Sequence, residues 1–282
     1  MKNQKFGVMP PSALDYGYFV KAAYDVYNAL PDVLSPTQDQ YPEFPSGYRL
    51  LFNIQMSNFF GPILKPVYFG FAAIDLSNPS SIVIAIRGTV GWMEWWDNLH
   101  AYPVPCPFAP NSGNVVAGFL DLYNSLKILA PGASSIEKAI ALSETVVPGL
   151  KSVFNLDNYT QVTVAGHSLG ASLATLYGLH MAATNSKRSV VIYTYASPCT
   201  GNADFVNYYN TVISESYRIY NEPDVVPKIL LWLGYSAVPV GFELNSLLDP
   251  NVKQSIGCYH YLTTYLYLLG APASILGICA TT

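Results

Sequence analysis

Charged residues are scarce in this sequence, and their scarcity limits the kinds of protein that it can encode. Asp, Glu, Lys and Arg make up 11% of the 282 residues, against about 25% in an average globular protein. Hydrophobic residues make up 51% and aromatic residues 14%, which excludes a disordered or fibrous chain. Such a composition fits a large buried core as well as a protein that works at an apolar interface.

Clusters of basic residues and uninterrupted apolar runs are absent as well. The formal net charge is −4, with no grouping of Lys and Arg, so we predict no nucleic-acid partner. Residues 255–282 carry no acidic or basic side chain, but a membrane span needs about 20 apolar residues. Because Thr263, Thr264, Gly270 and Pro272 interrupt this run, we predict a buried terminal helix and tail instead of a transmembrane span.

Cysteine is rare, and the few cysteines are far apart. They form no C-x-x-C pair and stand at positions Cys106, Cys199, Cys258 and Cys279. This scatter indicates neither a zinc site nor a redox motif, and we predict no metal or other cofactor. The four cysteines could form up to two disulfides, but we favour free buried thiols.

The amino-terminal segment has no continuous apolar run of the kind found in signal peptides. It reads MKNQKFGVMPPSALDYGYF. We therefore expect a chain that is either cytoplasmic or exported with a leader that this sequence does not include.

Strand-like runs alternate with helical patterns through most of the chain. The strand-like runs are 48–55, 67–74, 82–87, 161–165, 190–195 and 215–220, and the helical patterns are 12–29, 118–129, 135–154, 168–183, 202–213 and 260–269. The alternation in the second half predicts an α/β fold with a mostly parallel sheet covered by helices on both faces. The first two strands follow each other without a helix, which predicts an antiparallel edge.

The segment Gly166-His-Ser168-Leu-Gly170 follows a strand-like run and precedes a helical one. This context is typical of a nucleophile elbow, a sharp strand-to-helix turn that lifts a serine hydroxyl above the sheet. The helix N-terminus also favours negative charge at the attacked group. A chance G-x-S-x-G is expected about 0.1 times in a chain of this length, so we predict that Ser168 is a nucleophile and not an ordinary turn serine.

A serine nucleophile needs a general base, and the sequence has four histidines. His180 lies too far along the helix from Ser168, roughly 18 Å away at 1.5 Å per residue. His167 lies inside the elbow, where its side chain should point away from the serine. His100 precedes the nucleophile, against the order Ser…Asp/Glu…His of this architecture. We therefore predict that His260, which follows a long loop and starts a terminal helix, is the base.

The orienting acid is expected between the nucleophile and the base. The carboxylates there are Asp204, Glu215, Glu222, Asp224, Glu243 and Asp249. Asp224 follows a strand-like run, and catalytic residues on such sheets lie at the carboxyl ends of strands. Nearby prolines stiffen its loop, which helps an aspartate hold an imidazole in one tautomer. We predict Asp224 as the acid, with Glu222 as its rival, whereas Asp204 looks like a residue of a first helical turn.

At five places in order, the sequence resembles the class 3, fungal-type triacylglycerol lipases, which have an α/β-hydrolase fold. The matching segments are Ile86–Thr89 (R-G-[ST]), Gly118–Tyr123 (G-F-x-x-x-Y), Gly166–Gly170 (G-H-S-L-G), Tyr195–Asn202 (G-S-P-x-x-G-N) and Arg218–Pro227 (R-x-x-N-x-x-D-x-V-P). The resemblance covers roughly residues 65–265. Two departures, Val116-Ala117 where the family often has histidine and Ala196 where it has glycine, mark a distant member, so substrate preference does not transfer.

The resemblance implies a site that agrees with the residue-level argument. It implies that Ser168, Asp224 and His260 form a catalytic triad. It also implies an oxyanion hole formed by the amide of Leu169 with the backbone and hydroxyl of Thr89, which are donors aimed at the charge that develops on the carbonyl oxygen.

Three of the four tryptophans follow directly after Thr89. Trp92, Trp95 and Trp96 lie with Leu99 at helical spacing on one face. A surface helix packed on the core would show the same stripe. Because the family has its lid at the corresponding place, we predict a lid over about residues 90–105 that contacts substrate and lipid. Activity should then rise sharply when substrate forms an interface.

These motifs together predict a single domain over residues 1–282. They also predict that it is a serine lipase or esterase that hydrolyses acylglycerol esters through an acyl-enzyme. A phospholipase A1, a galactolipid lipase or a feruloyl-type esterase would share the same residues. An alternative of another class is a catalytically silent lipase-like domain that binds an acyl ligand or a protein, although such a domain has no need of a complete triad.

Overall fold

A computed structural model describes residues 10, 12–58, 65–89, 99–149, 154, 156–185 and 188–281. Its strands are β1 (Tyr48–Asn58), β2 (Lys65–Asp75), β3 (Ser81–Ile86), β4 (Pro103–Pro105), β5 (Asn114–Val116), β6 (Lys127–Leu129), β7 (Ile140–Ala141), β8 (Gln161–His167), β9 (Ser189–Tyr195), β10 (Gly201–Asn202), β11 (Glu215–Asn221), β12 (Tyr235–Ser236) and β13 (Gly241–Leu244). Its α-helices are α1 (Ala13–Ala29), α2 (Ala117–Ser125), α3 (Leu169–Thr184), α4 (Ala203–Val212), α5 (Ile256–His260) and α6 (Leu262–Leu268). Short 3₁₀ helices lie at Gln38–Gln40, Ile136–Lys138, Leu142–Val146, Val226–Leu233, Ser246–Leu248 and Ala273–Cys279.

Nine strands of the described residues form one sheet in the order β13-β11-β9-β8-β3-β2-β1-β6-β7. The strands from β13 to β3 pair in parallel. The strands from β3 to β7 pair antiparallel. Both the α/β class and the antiparallel edge predicted from the first two strands are confirmed.

Successive residues of a strand point to opposite sides of the sheet, and both sides of this sheet pack against helices. On one side, Ile84 of β3 belongs to a buried cluster with Leu173 of α3 and Phe205 of α4. Its neighbour Ala85 belongs to a second cluster, which includes Phe19 of α1. A strand with two buried faces shows a continuous apolar run without alternation, as β3 does.

A second, smaller antiparallel sheet has the order β12-β10-β5-β4. Its strands have only two or three residues each, too few to leave a periodic signal in the sequence. Strand β4 lies inside the segment predicted as a lid and pairs with β5 through Val104 and Val115. None of the described helices is long and apolar enough to cross a bilayer.

Three predicted helices were wrong in part. The segment predicted as a helix over 118–129 ends at Ser125, and its last residues form β6. The segment predicted over 135–154 contains 3₁₀ helices and the strand β7, because Ile140 pairs with Ile128 of β6. Near the carboxyl terminus, His260 ends α5 instead of starting a helix, and α6 begins at Leu262. In the first two cases, strand pairing overrides the local pattern.

The preference for free thiols was correct for only two of the four cysteines. Cys258 and Cys279 form a disulfide, whereas Cys106 and Cys199 are free and buried. The fold brings the paired cysteines together although they are separated by 21 positions in the sequence. Scattered positions alone do not reveal such a pairing.

Candidate active site

The predicted elbow is a tight turn between β8 and α3. Ser168 has φ 56° and ψ −125°, a left-handed conformation that costs free energy for a non-glycine residue and recurs at functional sites. The turn also needs close backbone contact, because a Cβ at Gly166 would lie 2.2 Å from the carbonyl oxygen of Gly170. A Cβ at Gly170 would lie 2.3 Å from the carbonyl oxygen of Ile86. Both glycines are therefore required for the serine to stand at this point.

The three predicted triad residues meet in space. The Oγ of Ser168 lies 2.8 Å from Nε2 of His260, and Nδ1 of His260 lies 2.8 Å from Oδ2 of Asp224. All three residues are buried, with 3%, 2% and 1% of their surfaces exposed. A carboxylate at Nδ1 places the proton there, which leaves Nε2 free to accept the serine proton.

Asp224 is held by groups besides the histidine. The hydroxyl of Tyr265 on α6 donates to Oδ2 at 2.7 Å, and the Val226 amide donates to Oδ1 at 3.0 Å. The Tyr265 hydroxyl in turn accepts from the amide of Asn221 at 3.0 Å. Burial, with a smaller contribution from Asp224, raises the pKa of Tyr265 well above its usual value. Tyr265 therefore remains a neutral hydrogen-bond donor that fixes the carboxylate.

The side chain of Asn221 joins the acid loop to the helix of the histidine. Its Nδ2 donates to the carbonyl oxygen of Tyr259 on α5 at 2.9 Å and to the Ser246 hydroxyl at 2.9 Å. Its Oδ1 accepts from the Ser246 amide. The end of β11 and the residue before His260 are therefore held at a fixed separation.

The rival residues lie elsewhere. Glu222 is partly exposed and pairs with Lys228 at 3.3 Å. His180 stacks on Phe108 with ring centroids 4.3 Å apart. His100 is exposed, with its ring 3.9 Å from a carboxylate oxygen of Asp121. None of these three contacts the serine.

The predicted oxyanion donors are Leu169, which follows the serine, and Thr89, which follows Gly88, where an added Cβ would lie 2.9 Å from the Cβ of Ser168. Leu169 is the first residue of α3, so its amide has no acceptor within the helix. The Oγ1 of Thr89 is buried, and it has no hydrogen-bond partner among the described residues. The strand end before Thr89 is fixed by the buried Arg87, whose Nη1 donates to the carbonyl oxygen of Gly88 at 2.7 Å.

A cavity of about 420 Å³ adjoins this site, and most of its lining surface is apolar. Its wall includes Thr89, His260 and Tyr261, and its far side is formed by Ile275 and Ile278 of the carboxyl-terminal 3₁₀ helix. Among the residues that the structure describes, no group of His, Cys, Asp or Glu side chains could hold a metal ion. The arrangement can therefore activate a serine beside a space suited to an apolar ligand.

The lid residues Trp92, Trp95 and Trp96 lie outside the described residues, as do all of 90–98. Sequence reasoning missed Tyr24, Asn221 and Tyr265 as site residues. Asn221 could have been found, because it stands at the N of the R-x-x-N-x-x-D pattern. The two tyrosines gave no signal among the 22 tyrosines of this chain.

Comparison with known proteins places the chain in a family. The family model described as "Lipase (class 3)" matches residues 83–233, which is more than half of the chain. The chain belongs to the class 3 lipase family, as its motifs predicted. Phospholipase A1-II 7 from Oryza sativa subsp. indica is 31% identical over 237 residues, covering 75% of this chain and 56% of the relative. The chloroplastic phospholipase A(1) DAD1 from Arabidopsis thaliana is 28% identical, covering 77% of this chain and 54% of the relative.

Solved structures show the same fold. A lipase from Rhizopus microsporus var. chinensis superposes with a TM-score of 0.59 at 20% identity, covering 89% of this chain and 82% of that lipase. This likeness confirms the predicted α/β-hydrolase fold. The chain spans about half the length of the curated relatives it matches.

Proposed function

We propose that this chain hydrolyses carboxylic esters of glycerolipids through an acyl-enzyme. His260 takes the proton of Ser168 while its oxygen attacks the ester carbonyl, and Asp224 stabilises the imidazolium. The amides of Leu169 and Thr89 and the Thr89 hydroxyl bind the oxyanion. The alcohol leaves with the proton held by His260, and water activated by the same histidine then releases the fatty acid. The observation that carries this proposal is the 2.8 Å contact between Ser168 and His260 in a buried turn.

A lipid substrate is supported by exposed apolar side chains on the 3₁₀ helix that follows Asp224 and on the segment that lines the cavity. Trp232, 92% exposed, lies on the 3₁₀ helix that follows Asp224. Ile278, 77% exposed, lies on the segment that lines the cavity. Contiguous exposed apolar residues mark surfaces that contact another molecule or a membrane, and Leu231, Trp232 and Leu233 are exposed in succession. We further propose that the tryptophans of residues 90–105 act as a lid, so that activity rises when the substrate forms an interface.

Two glycerolipid classes are candidates. Acylglycerols are substrates suggested by the lipase family itself. Phospholipids cleaved as by a phospholipase A1 are favoured by the names of the relatives at 28–31% identity. Both substrates use the same triad, so the two activities differ only in which leaving alcohol the site accepts.

The experiment compares the wild-type chain with Ser168→Ala on a chromogenic ester, a triacylglycerol emulsion and phosphatidylcholine vesicles. Ser168→Ala should lower turnover by about 10³–10⁶-fold, judging from triad deletions in other hydrolases. A serine-directed phosphonate should inactivate only the wild type. Near-full activity of the variant refutes the assignment, and a folded wild type inert to every ester and to the phosphonate supports the silent binding domain.

A further inference from the structure

Outside the candidate triad, the buried His167 and the partly buried Tyr24 form a series of hydrogen bonds that reaches both halves of the site. The Tyr24 hydroxyl lies 2.9 Å from Nδ1 of His167, and Nε2 of His167 lies 2.8 Å from the carbonyl oxygen of His260. At the other end, the Gly88 amide donates to the Tyr24 hydroxyl at 2.8 Å. These hydrogen bonds therefore connect Gly88, the residue before Thr89, with the backbone of the candidate base His260.

The direction of each hydrogen bond follows from the chemistry of the groups. The carbonyl oxygen of His260 can only accept, so the proton of the His167 ring is on Nε2. Burial, with a smaller contribution from His260, lowers the pKa of His167 well below its usual value. The ring is therefore neutral, and its unprotonated Nδ1 accepts from the Tyr24 hydroxyl. That hydroxyl in turn accepts from the Gly88 amide, so one arrangement of protons satisfies all three contacts.

We propose that Tyr24 and His167 are positioning residues, which hold the carbonyl of His260 and the strand end beside Thr89 in the geometry needed for reaction. This inference rests on the proposed esterase function. It goes beyond the triad because neither residue touches the reacting atoms. The ring of His167 lies behind that of His260, with centroids 5.0 Å apart.

Gly88 lies in close contact with the groups that form these hydrogen bonds. A Cβ at Gly88 would lie 2.6 Å from the Tyr24 hydroxyl oxygen and 2.9 Å from the Cβ of Ser168. Tyr24 therefore packs against the same glycine that separates it from the nucleophile. Gly88 is held through its amide by Tyr24 and through its carbonyl by Arg87. Losing the tyrosine hydroxyl releases one of these two constraints.

The rate of catalysis should fall strongly when this constraint on Gly88 is lost. A displacement of about 1 Å in reacting groups can cost on the order of 10²-fold in rate. Tyr24 and His167 also line the cavity. Tyr24→Phe keeps the ring and removes only a hydroxyl that bonds to His167 and Gly88, so substrate binding should change little. We therefore expect a loss in kcat with an unchanged KM, which is the pattern of an interaction that matters only in the transition state.

The first test is Tyr24→Phe, with Tyr177→Phe as the matched control. Tyr177 is fully buried and Tyr24 is partly buried. The Tyr177 hydroxyl lies 2.7 Å from Oγ1 of Thr145, so the control loses a comparable hydrogen bond on α3. We expect kcat to fall about 10–100-fold in Tyr24→Phe, with the rate of phosphonate inactivation falling in parallel. Tyr177→Phe should keep kcat within about twofold and lose a similar amount of thermal stability.

The second test uses two replacements of His167. His167→Leu removes the donor to the His260 carbonyl, whereas the amide of His167→Gln can still donate to it. Turnover should be lower in His167→Leu than in His167→Gln, in proteins of equal unfolding midpoint. Low-field proton NMR supplies a readout independent of turnover, because the Nδ1 proton between His260 and Asp224 should broaden or shift in Tyr24→Phe and remain in Tyr177→Phe.

The outcomes separate this inference from the proposed function. An active wild type with a Tyr24→Phe variant whose kcat and Nδ1 proton signal match the Tyr177→Phe control overturns the positioning role alone. A loss of kcat shared equally by Tyr24→Phe and Tyr177→Phe also overturns it, because the effect would then be one of stability. A wild type without esterase activity contradicts the proposed function, and the NMR comparison then still decides whether the chain of hydrogen bonds holds His260.

Discussion

At the scale of single residues, the Thr89 hydroxyl is a buried donor that the described residues leave without an acceptor. Leaving a buried polar group unsatisfied costs about 1–3 kcal/mol. Such a cost is retained where a ligand completes the hydrogen bond during function. The position of Thr89 beside the elbow fits a hydroxyl that awaits the negative oxygen of a tetrahedral intermediate.

Thr89→Val tests that role, since valine keeps the shape of the side chain and removes only the hydroxyl donor. We expect kcat to fall about 10²–10³-fold, the usual cost of one oxyanion donor, and Thr89→Ser to recover part of the loss. Steady-state kinetics on a chromogenic ester measure both values. Thr194→Val is the control, because Thr194 also has a buried hydroxyl without a partner in the described part of the chain. Equal kinetics for Thr89→Val and wild type would show that only the amides, and not the Thr89 hydroxyl, bind the oxyanion.

At the scale of elements, a disulfide connects the helix of the candidate base to the end of the chain. Cys258 lies on α5, two positions before His260, and Cys279 ends the 3₁₀ helix that lines the cavity. The amide of Lys253 donates to the Cys279 carbonyl, and Val252 forms a β-bridge with Ala280. The disulfide and these backbone contacts fix one wall of the cavity relative to the histidine.

Removing this disulfide should weaken the fold and the site together. For the closed loop of 21 positions, the double variant Cys258→Ala/Cys279→Ala should lose about 3 kcal/mol of stability. Chemical denaturation with and without a reductant measures the loss. The reductant should bring the wild type to the level of the double variant and leave that variant unchanged. Cys199→Ala, at a free buried thiol, is the control that should keep its response to the reductant.

At the scale of the whole molecule, the buried His167 and the partly buried His180 link folding to pH. Burial lowers the pKa of His180 to about 4 and that of His167 well below its usual value. The unfolded chain titrates these groups near 6.5, so between about pH 4 and 6.5 it binds more protons than the folded chain does. The free energy of unfolding must therefore fall as the pH falls through this window.

His180→Gln isolates one part of this acid sensitivity. The variant should lose less stability than the wild type between pH 7 and pH 4.5, by about 1–3 kcal/mol. Urea unfolding at several pH values measures the difference. His100→Gln is the control, because His100 is exposed, and its acid response should parallel that of the wild type. Parallel curves for His180→Gln and the wild type would contradict the linkage.

The sequence by itself determined where six strands of the large sheet lie along the chain, the turn at Ser168 and the choice of His260 over three other histidines. These features depend on short segments or on the order of residues along the sequence. Apolar runs mark buried strands, paired glycines mark a tight turn, and His100 is excluded because it precedes the nucleophile. The tertiary structure alone decided which distant groups support them. Tyr24, Tyr265 and the Cys258–Cys279 pair act through contacts between segments far apart in sequence, and no periodicity records such contacts. The same reason explains the failed helix over 135–154, where pairing of Ile140 with Ile128 prevailed over the local pattern.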